Sequence, residues 1–356
     1  MSSGAVLLRG VLREQHALNI DDVQVRALVR DLHRVSASVY WSDLLASSIV
    51  GWGAFVFGVV LPPFSAGMVA AALIAIFALY RALCFIHEIS HQNRRTLPGF
   101  ETVWNFLAGY PLMMPSFIYV GVHQDHHKLS SYGTSSDPEY LPFARSSGRT
   151  TAFALESFFI PVLLLVRFLV FTPLGLISKR LQQWLIVHAS SLTINIRYRR
   201  DVTPNLVKTI RRDSIFIVLL WAVPIALASL GVIPWRTFLV WFVVVSIASF
   251  INTLRTLGAH AYESSGEPLD RMGQLIDSID TPGRSWTELW APVGLRYHAL
   301  HHYFPGIPYH SLPEAYRRLV GTLPLAAEYR KMSSRSLPHS LSKLLKKGMR
   351  RSGPHA

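Results

Sequence analysis

The sequence predicts an all-α integral membrane protein with two transmembrane helical hairpins, several interfacial helices and a cytoplasmic, histidine-rich cap that holds two metals. Half of the 356 residues are hydrophobic and only 16% are charged, a composition typical of membrane proteins. Four apolar runs have about the length needed to cross a bilayer. Closely spaced histidines follow these runs.

The four apolar runs form two pairs, each joined by a very short connection. The first pair covers residues 44–64 and 66–86, and the second covers 214–233 and 235–254. Proline or glycine stands at each connection, and both residues favour tight turns. Each pair is therefore expected to return to the side of the membrane from which it started.

Two further apolar segments are not interpreted as spans. Residues 103–122 are interrupted by Gly109, Pro111 and Pro115, which favours a short hairpin that dips into the membrane. Residues 152–178 contain a glutamate, an arginine and two prolines, and a charge near the bilayer centre costs about 3 kcal/mol. A full crossing there would also separate the last histidine group from the others, so this segment is interpreted as interfacial or re-entrant.

The net charge of +14 is concentrated outside the four runs. Eight Lys or Arg lie in residues 179–213 and 14 lie from residue 255 onwards; such an excess marks the cytoplasmic side. We therefore expect an integral membrane protein with its site on the cytoplasmic face, in contact with the bilayer and not with nucleic acid. Three regions follow: an N-terminal helical segment (1–43), a membrane domain (44–320) and a basic, disordered tail (321–356).

Three histidine groups are the candidate metal ligands. Residues three or four positions apart share one face of a helix, and the groups have this spacing: His87 and His91; His123, His126 and His127; His298, His301 and His302. Eight ligands exceed the three or four that one tetrahedral site uses, so two metals are implied. His260 follows the fourth run much as His87 follows the second and is a ninth candidate; a lone histidine satisfied by the backbone is the alternative.

Acidic residues near these groups are candidates for orienting the ligands. Metal-bound histidines usually donate their second N–H to a carboxylate or a carbonyl. The acids nearest in sequence are Asp125, Asp137, Glu139, Asp277 and Asp280, of which Asp125, Asp137 and Asp277 are preferred. The alternative for each is an ordinary solvated charge.

From residue 44 to 320 the chain resembles the membrane fatty acid desaturase and hydroxylase family, whose three boxes read HxxxH, HxxHH and HxxHH. Residues 133–140 and 291–297 are also similar to segments of bacterial members, and this resemblance implies that the membrane is a bacterial cytoplasmic membrane. The resemblance implies a non-haem di-iron centre that uses dioxygen and two external electrons to oxidise an acyl chain. It also implies that the eight box histidines are the iron ligands.

The expected reaction is desaturation of an acyl chain that is free or linked to coenzyme A, a carrier protein or a lipid. Hydroxylation, triple-bond formation and decarboxylation to a terminal alkene begin at the same kind of centre and remain open. The sequence contains one cysteine and no His-Pro-Gly-Gly string, so no iron–sulfur or cytochrome b5-like module is recognised. We expect electrons from an external ferredoxin or cytochrome b5-type donor.

Two hypotheses from other functional classes are alternatives to an enzyme that oxidises acyl chains. The string His87-Glu88-Ile-Ser-His91 matches the HExxH motif of zinc peptidases, in which the glutamate is the general base. That reading leaves most of the clustered histidines without a role. A metal carrier or haem-binding bundle would tolerate paired histidines but does not require two triads.

Overall fold

The computed structural model describes residues 22–322 and 331–351, and in these ranges the protein is helical, with isolated β-bridges and no strand. The α-helices, in chain order, are α1 Asp22–Val29, α2 Ala37–Val60, α3 Ala66–His91, α4 Phe100–Trp104, α5 Val122–His126, α6 Ser147–Glu156, α7 Ile160–Leu165, α8 Thr172–Ile177, α9 Lys179–His188, α10 Pro204–Ser229, α11 Arg236–Ala259, α12 Arg271–Asp277, α13 Thr287–Trp290, α14 His298–Tyr303, α15 Leu312–Thr322 and α16 Leu337–Arg351.

Two long hairpins form the membrane part, and this confirms the predicted all-α integral membrane class. Helices α2 and α3 make one hairpin, and α10 and α11 make the other; all four are long and apolar enough to cross a bilayer. The first hairpin packs closely, because a Cβ atom placed on Gly51 would lie 2.6 Å from Cδ2 of Leu79. A glycine at this position therefore lets the two helices approach.

The continuous helical segment Ser147–Ile177 is a fifth candidate span by length and hydropathy. Its contacts with the second hairpin, however, all lie at about the same depth along the hairpin helices. The Phe158 ring stacks on Phe250 with centroids 4.4 Å apart, and Arg167 contacts the Ser214 hydroxyl at 3.5 Å. At 1.5 Å per residue, Phe250 and Ser214 lie about 21 and 22 Å from the helix ends at the α10–α11 turn. The segment thus runs across the hairpin, which supports the interfacial or re-entrant interpretation.

Residues 105–118 form the compact re-entrant hairpin that the glycine and proline pattern indicated. Three indole N–H groups from the long helices bind its carbonyls: Trp52 to Leu107 at 2.7 Å, Trp241 to Pro111 at 3.0 Å and Trp221 to Tyr110 at 3.4 Å. Irregular backbone is tolerated at membrane depth only where protein groups satisfy it. The tryptophans provide those partners.

The C-terminal region corrects the expectation of a disordered tail over 321–356. Helix α16 packs on α11 and α6, with Leu344 buried. A Cβ atom on Gly348 would lie 2.4 Å from the backbone nitrogen of Ser147, so only glycine permits this approach. Residues 323–330 and 352–356 of that region lie outside the described residues.

The described part of the N-terminal region contains α1, a 3₁₀ turn at Arg30–His33 and the start of α2, whereas residues 1–21 of the predicted segment 1–43 lie outside the described part. Arg318 of α15 donates to the Leu28 carbonyl at 2.9 Å and pairs with Asp31 at 2.6 Å. The first span begins at Ala37, seven residues before the start of the predicted run. Region 1–43 therefore contributes both a helix on the cap and the start of α2.

The arrangement predicts that the two hairpin turns lie on one side of the membrane and the segment 147–177 begins and ends on the other. We expect Phe64→Cys and Val232→Cys, in a Cys84→Ser background, to react with an impermeant thiol reagent from the same side. Arg149→Cys and Lys179→Cys should react only from the opposite side. Labelling of these two positions from different sides would show that the segment crosses fully.

Candidate metal centre

The nine candidate histidines are carried by helix ends and short helices that meet at one place. His87 and His91 lie on the last turns of α3, and His260 directly follows α11. The remaining six lie on or directly after the short helices α5 and α14: His123, His126, His127, His298, His301 and His302. Since α3 and α11 both end at this cluster, both hairpins have the same orientation.

Four of these side chains form a first group that could hold a metal ion. One ring nitrogen from each of His87, His91, His123 and His301 lies within 4.8 Å of the others. Nε2 of His91 and Nε2 of His301 are 3.1 Å apart. His127 borders this group, with its Nε2 at 3.1 Å from Nε2 of His123.

A second group of the same kind contains His126, His260 and His302. His298 borders it, because its Nε2 lies 2.9 Å from Nε2 of His260 and 3.1 Å from Nε2 of His302. The two groups adjoin where the rings of His127 and His302 stack, with centroids 4.2 Å apart.

The donor geometry fits metal ions in both groups. Two nitrogens bound at about 2.1 Å and at right angles are about 3.0 Å apart, which matches the separations of 2.9 and 3.1 Å. Nε2 of His126 and both ring nitrogens of His87 are buried without a hydrogen-bond partner. An orphaned buried nitrogen is costly, and a metal ion would satisfy it.

The protonation states also suit metal binding, which needs unprotonated nitrogen. Burial, followed by repulsion from neighbouring imidazoles, holds the pKa of His301 and His302 well below the usual range. For His126 burial works in the same direction, but the Asp137 carboxylate more than offsets it and raises the pKa. Asp137 lies at 2.8 Å from Nδ1 of His126, so the proton of the neutral ring is on the nitrogen that faces away from the group, and Nε2 remains available to a metal ion.

Carboxylates fix the orientation of the second histidine box. Asp137 lies 2.8 Å from Nδ1 of His126, and Glu139 lies 2.8 Å from Nδ1 of His123. Both contacts leave Nε2 free to face the group. Burial raises the pKa of Glu139 to about 7, so a cation in the group would favour its ionised form. Asp137 and Glu139 thus each contact a ring of the second box, and their role in orienting metal ligands stays a prediction.

Asp277 reaches His260 through a tyrosine that the sequence reasoning missed. The Tyr132 hydroxyl is 2.9 Å from Nδ1 of His260 and donates to Asp277 at 3.2 Å, whereas His260 and Asp277 themselves are 4.0 Å apart. Tyr140 donates to the other Asp277 oxygen at 3.1 Å. The one indication in the sequence is that Tyr132 directly precedes residues 133–140 and Tyr140 ends them. This segment is similar to one in bacterial members of the family.

The other two predicted acids have different partners. Asp280 accepts the backbone N–H groups of Ala299 and Leu300 at 2.8 and 3.2 Å, so it holds the start of α14 instead of a ring. Asp125 pairs with Lys128 and accepts the Tyr198 hydroxyl. Among the described residues, the Asp125 carboxylate makes no hydrogen bond or ion pair with the ring of a clustered histidine.

Glu88 does not face the histidine groups as a general base would. It accepts hydrogen bonds from the Tyr40 hydroxyl and from the backbone N–H of Tyr309, the latter at 3.1 Å. Its nearest oxygen lies 3.7 Å from Nδ1 of His87. Glu88 therefore ties the loop after α14 to α2.

Arg255 is a second feature that sequence reasoning missed. It is 9% exposed and binds the Asn252 side chain at 3.1 Å and the Thr256 hydroxyl at 2.8 Å. Together with burial and nearby histidines, its charge lowers the pKa of His260 and His298. A buried cation at the membrane end of the site thus helps to keep the second group neutral.

The helical membrane fold and the histidine cluster agree with the comparisons, by which the chain belongs to the fatty acid desaturase family. Its membership of this family makes it an integral membrane oxidoreductase that acts on lipids. The family model "Fatty acid desaturase" matches residues 62–333. The chain is also 37% identical over 327 residues to a ceramide hydroxylase of Caulobacter vibrioides (strain NA1000 / CB15N). The aligned residues cover 91% of this chain and 93% of that protein.

The carboxylate contacts predict that Asp137→Asn weakens metal retention about ten- to a hundredfold. The substitution removes the carboxylate that accepts the Nδ1–H of His126 and orients its ring. Asp125→Asn is the matched control, since it removes the same charge twelve residues earlier in the chain, on α5, without touching a clustered ring. Metal content after dialysis against graded chelator measures the effect. Equal loss in the two variants would contradict the assigned role of Asp137.

Proposed function

We propose that the protein hydroxylates the hydrocarbon part of a ceramide-type lipid, using dioxygen at a di-iron centre held by the nine clustered histidines. The observation that carries the proposal is the pair of adjoining all-nitrogen groups, each of which fits one metal. The relative from Caulobacter vibrioides is a ceramide hydroxylase, which favours hydroxylation and suggests the substrate class.

The two irons, when bound, would supply the oxidising power needed to attack an unactivated C–H bond. Neutral imidazole is a suitable ligand for iron. Both desaturation and hydroxylation consume one dioxygen and two electrons. Hydroxylation leaves one oxygen atom on the carbon and one in water, whereas desaturation leaves both in water.

The protein's own residues position the ligands and exclude water. Seven of the nine histidines are buried, and His91 and His127 are half-buried. Asp137, Glu139 and the Tyr132–Asp277 pair hold protons on the outward nitrogens. The site follows directly on the ends of α3 and α11, so a hydrocarbon chain can reach it from the membrane without crossing water. A dry, fixed site of this kind favours one reactive pose.

Three finer assignments belong to the same proposal. The membrane is the bacterial cytoplasmic membrane, with the site on the cytoplasmic face, which the excess of Lys and Arg supports. The electrons come from an external ferredoxin or cytochrome b5-type protein. Desaturation, triple-bond formation and terminal-alkene formation are the alternatives, and the position of Glu88 argues against the zinc peptidase.

Product analysis separates hydroxylation from desaturation. Cells that make ceramide and express the chain should accumulate a ceramide with one added oxygen, and that oxygen should carry the label when isotopic dioxygen is supplied. His126→Ala, which removes one ligand, should give no product. A ceramide that has lost two hydrogens and contains no label would identify a desaturase.

Purified protein should contain two irons per chain. Metal analysis of detergent-solubilised wild type and His301→Ala tests this expectation, because the variant should lose metal chiefly from the first group. One zinc per chain, with activity that depends on Glu88, would instead support the peptidase.

The donor is expected to bind an exposed basic surface beside the second box. Lys128, 59% exposed in its side chain, follows that box, and Arg271 begins α12, whose Gln274 binds the His127 carbonyl at 3.4 Å. Encounter with an acidic protein through such charges slows as ionic strength rises.

We expect Lys128→Glu with Arg271→Glu to raise the KM for an acidic ferredoxin several-fold at low salt and to flatten its salt dependence. Iron content should stay unchanged. Arg149→Glu is the control, because it also replaces a positive charge by a negative one, but at a distance in sequence from the second box, and it should leave the KM unchanged. A KM that is insensitive to both salt and these substitutions would place the docking surface elsewhere.

A further inference from the structure

A cavity separate from the histidine cluster lies between α8, α9 and α10. It has about 320 Å³ of empty space, part of which is open to the surroundings. Its apolar lining includes Leu176, Leu185 and Ile215, and its polar lining includes Arg167, Gln182 and Arg211. The cavity thus combines an apolar wall with two guanidinium groups.

Arg167 has only neutral partners. Its Nε donates to the Ala189 carbonyl and its Nη1 to the Thr172 hydroxyl, both at 2.7 Å, and its Nη2 lies 3.5 Å from the Ser214 hydroxyl. The guanidinium is partly buried, and a buried charge is costly without an opposite charge. Among the described residues no carboxylate lies within ion-pair distance of it.

Arg211 is exposed and has no ion pair among the described residues either. Its neighbour Arg212 differs, because it pairs with Asp213 at 2.7 Å. The Asp213 carboxylate therefore already has a partner. Two positive charges in one cavity repel each other, so the arrangement favours an anion between them.

The depth of the cavity matches the level of lipid headgroups. Arg211 lies seven residues into α10 from Pro204, about 10 Å along the helix, on the side where the histidine cluster lies. The apolar residues at its rim face outwards: Leu176 is 58% exposed and Ile215 36%. A ligand here would have a negative group inside and hydrocarbon outside.

We propose that this cavity binds the phosphate of an anionic phospholipid, with the phosphate between Arg167 and Arg211 and the acyl chains along Leu176 and Ile215. Basic pockets between transmembrane helices bind acidic headgroups in this way. The apolar rim favours a lipid over free phosphate, because inorganic phosphate would gain nothing from Leu176 and Ile215. The site is distinct from the one that holds the reacting chain.

Lipid titration of the detergent-purified, full-length protein tests the proposal, with retention of phosphatidylglycerol followed by native mass spectrometry and by Tm. Wild type should retain the lipid and gain Tm, and Arg211→Gln and Arg167→Gln should each bind it about fivefold more weakly. Lys208→Gln, an exposed cation one turn earlier on the same helix, is the control and should bind like wild type. Arg211→Gln is the decisive variant, because in the described part of the chain the Arg211 side chain makes no hydrogen bond or ion pair that its loss could disturb.

Four results would overturn the proposal. Equal binding by wild type and Arg211→Gln would show that the cavity is not the site. An equal loss in Lys208→Gln would show that only the overall charge of the surface matters. A Tm gain with inorganic phosphate equal to the gain with phosphatidylglycerol would identify a simple anion site. Retention of phosphatidylcholine to the same extent as phosphatidylglycerol would show that the guanidinium groups do not select the headgroup.

Discussion

The structure depends on bringing nine imidazole rings together, uncharged and largely out of water. Each ring must direct one nitrogen into the cluster, and its second nitrogen needs a partner elsewhere. The polypeptide meets the first requirement with the ends of two membrane hairpins and two short helices. It meets the second for His126, His123 and His260 with Asp137, Glu139 and Tyr132. The rest of the fold follows from where these elements must end.

The common end point of α3 and α11 restricts the path of the chain between them. His91 and His260 belong to adjoining groups, so the residues from 92 to 203 must begin and end on the same side of the membrane. That is why a segment as long and apolar as Ser147–Ile177 runs across the second hairpin and contacts it at one depth. Hydropathy alone cannot reveal this, because it measures composition and not the position of the segment's ends.

The helices and the histidine cluster could be predicted from sequence because they obey short-range rules. Apolar length indicates the spans, and spacing of three and four indicates a shared helical face. Tyr132 and Arg255 could not be found in this way, since each is a single residue whose role depends on partners far along the chain. The helix α16 was missed because its many Lys and Arg were read as a solvated tail. Its leucines recur at helical spacing, and Leu344 is buried.

Burial of so many polar groups makes the cap dependent on what it binds. Nitrogens of His87 and His126 lack protein partners, and an unsatisfied buried group costs about 1–3 kcal/mol. A ligand that binds only the folded state stabilises it by mass action, so metal occupancy and folding of the cap are linked. The membrane hairpins bury their own apolar faces and do not need this contribution. The metal-free protein should therefore retain its spans while α5 and α14 lose order first, because short helices are stable only through their tertiary contacts.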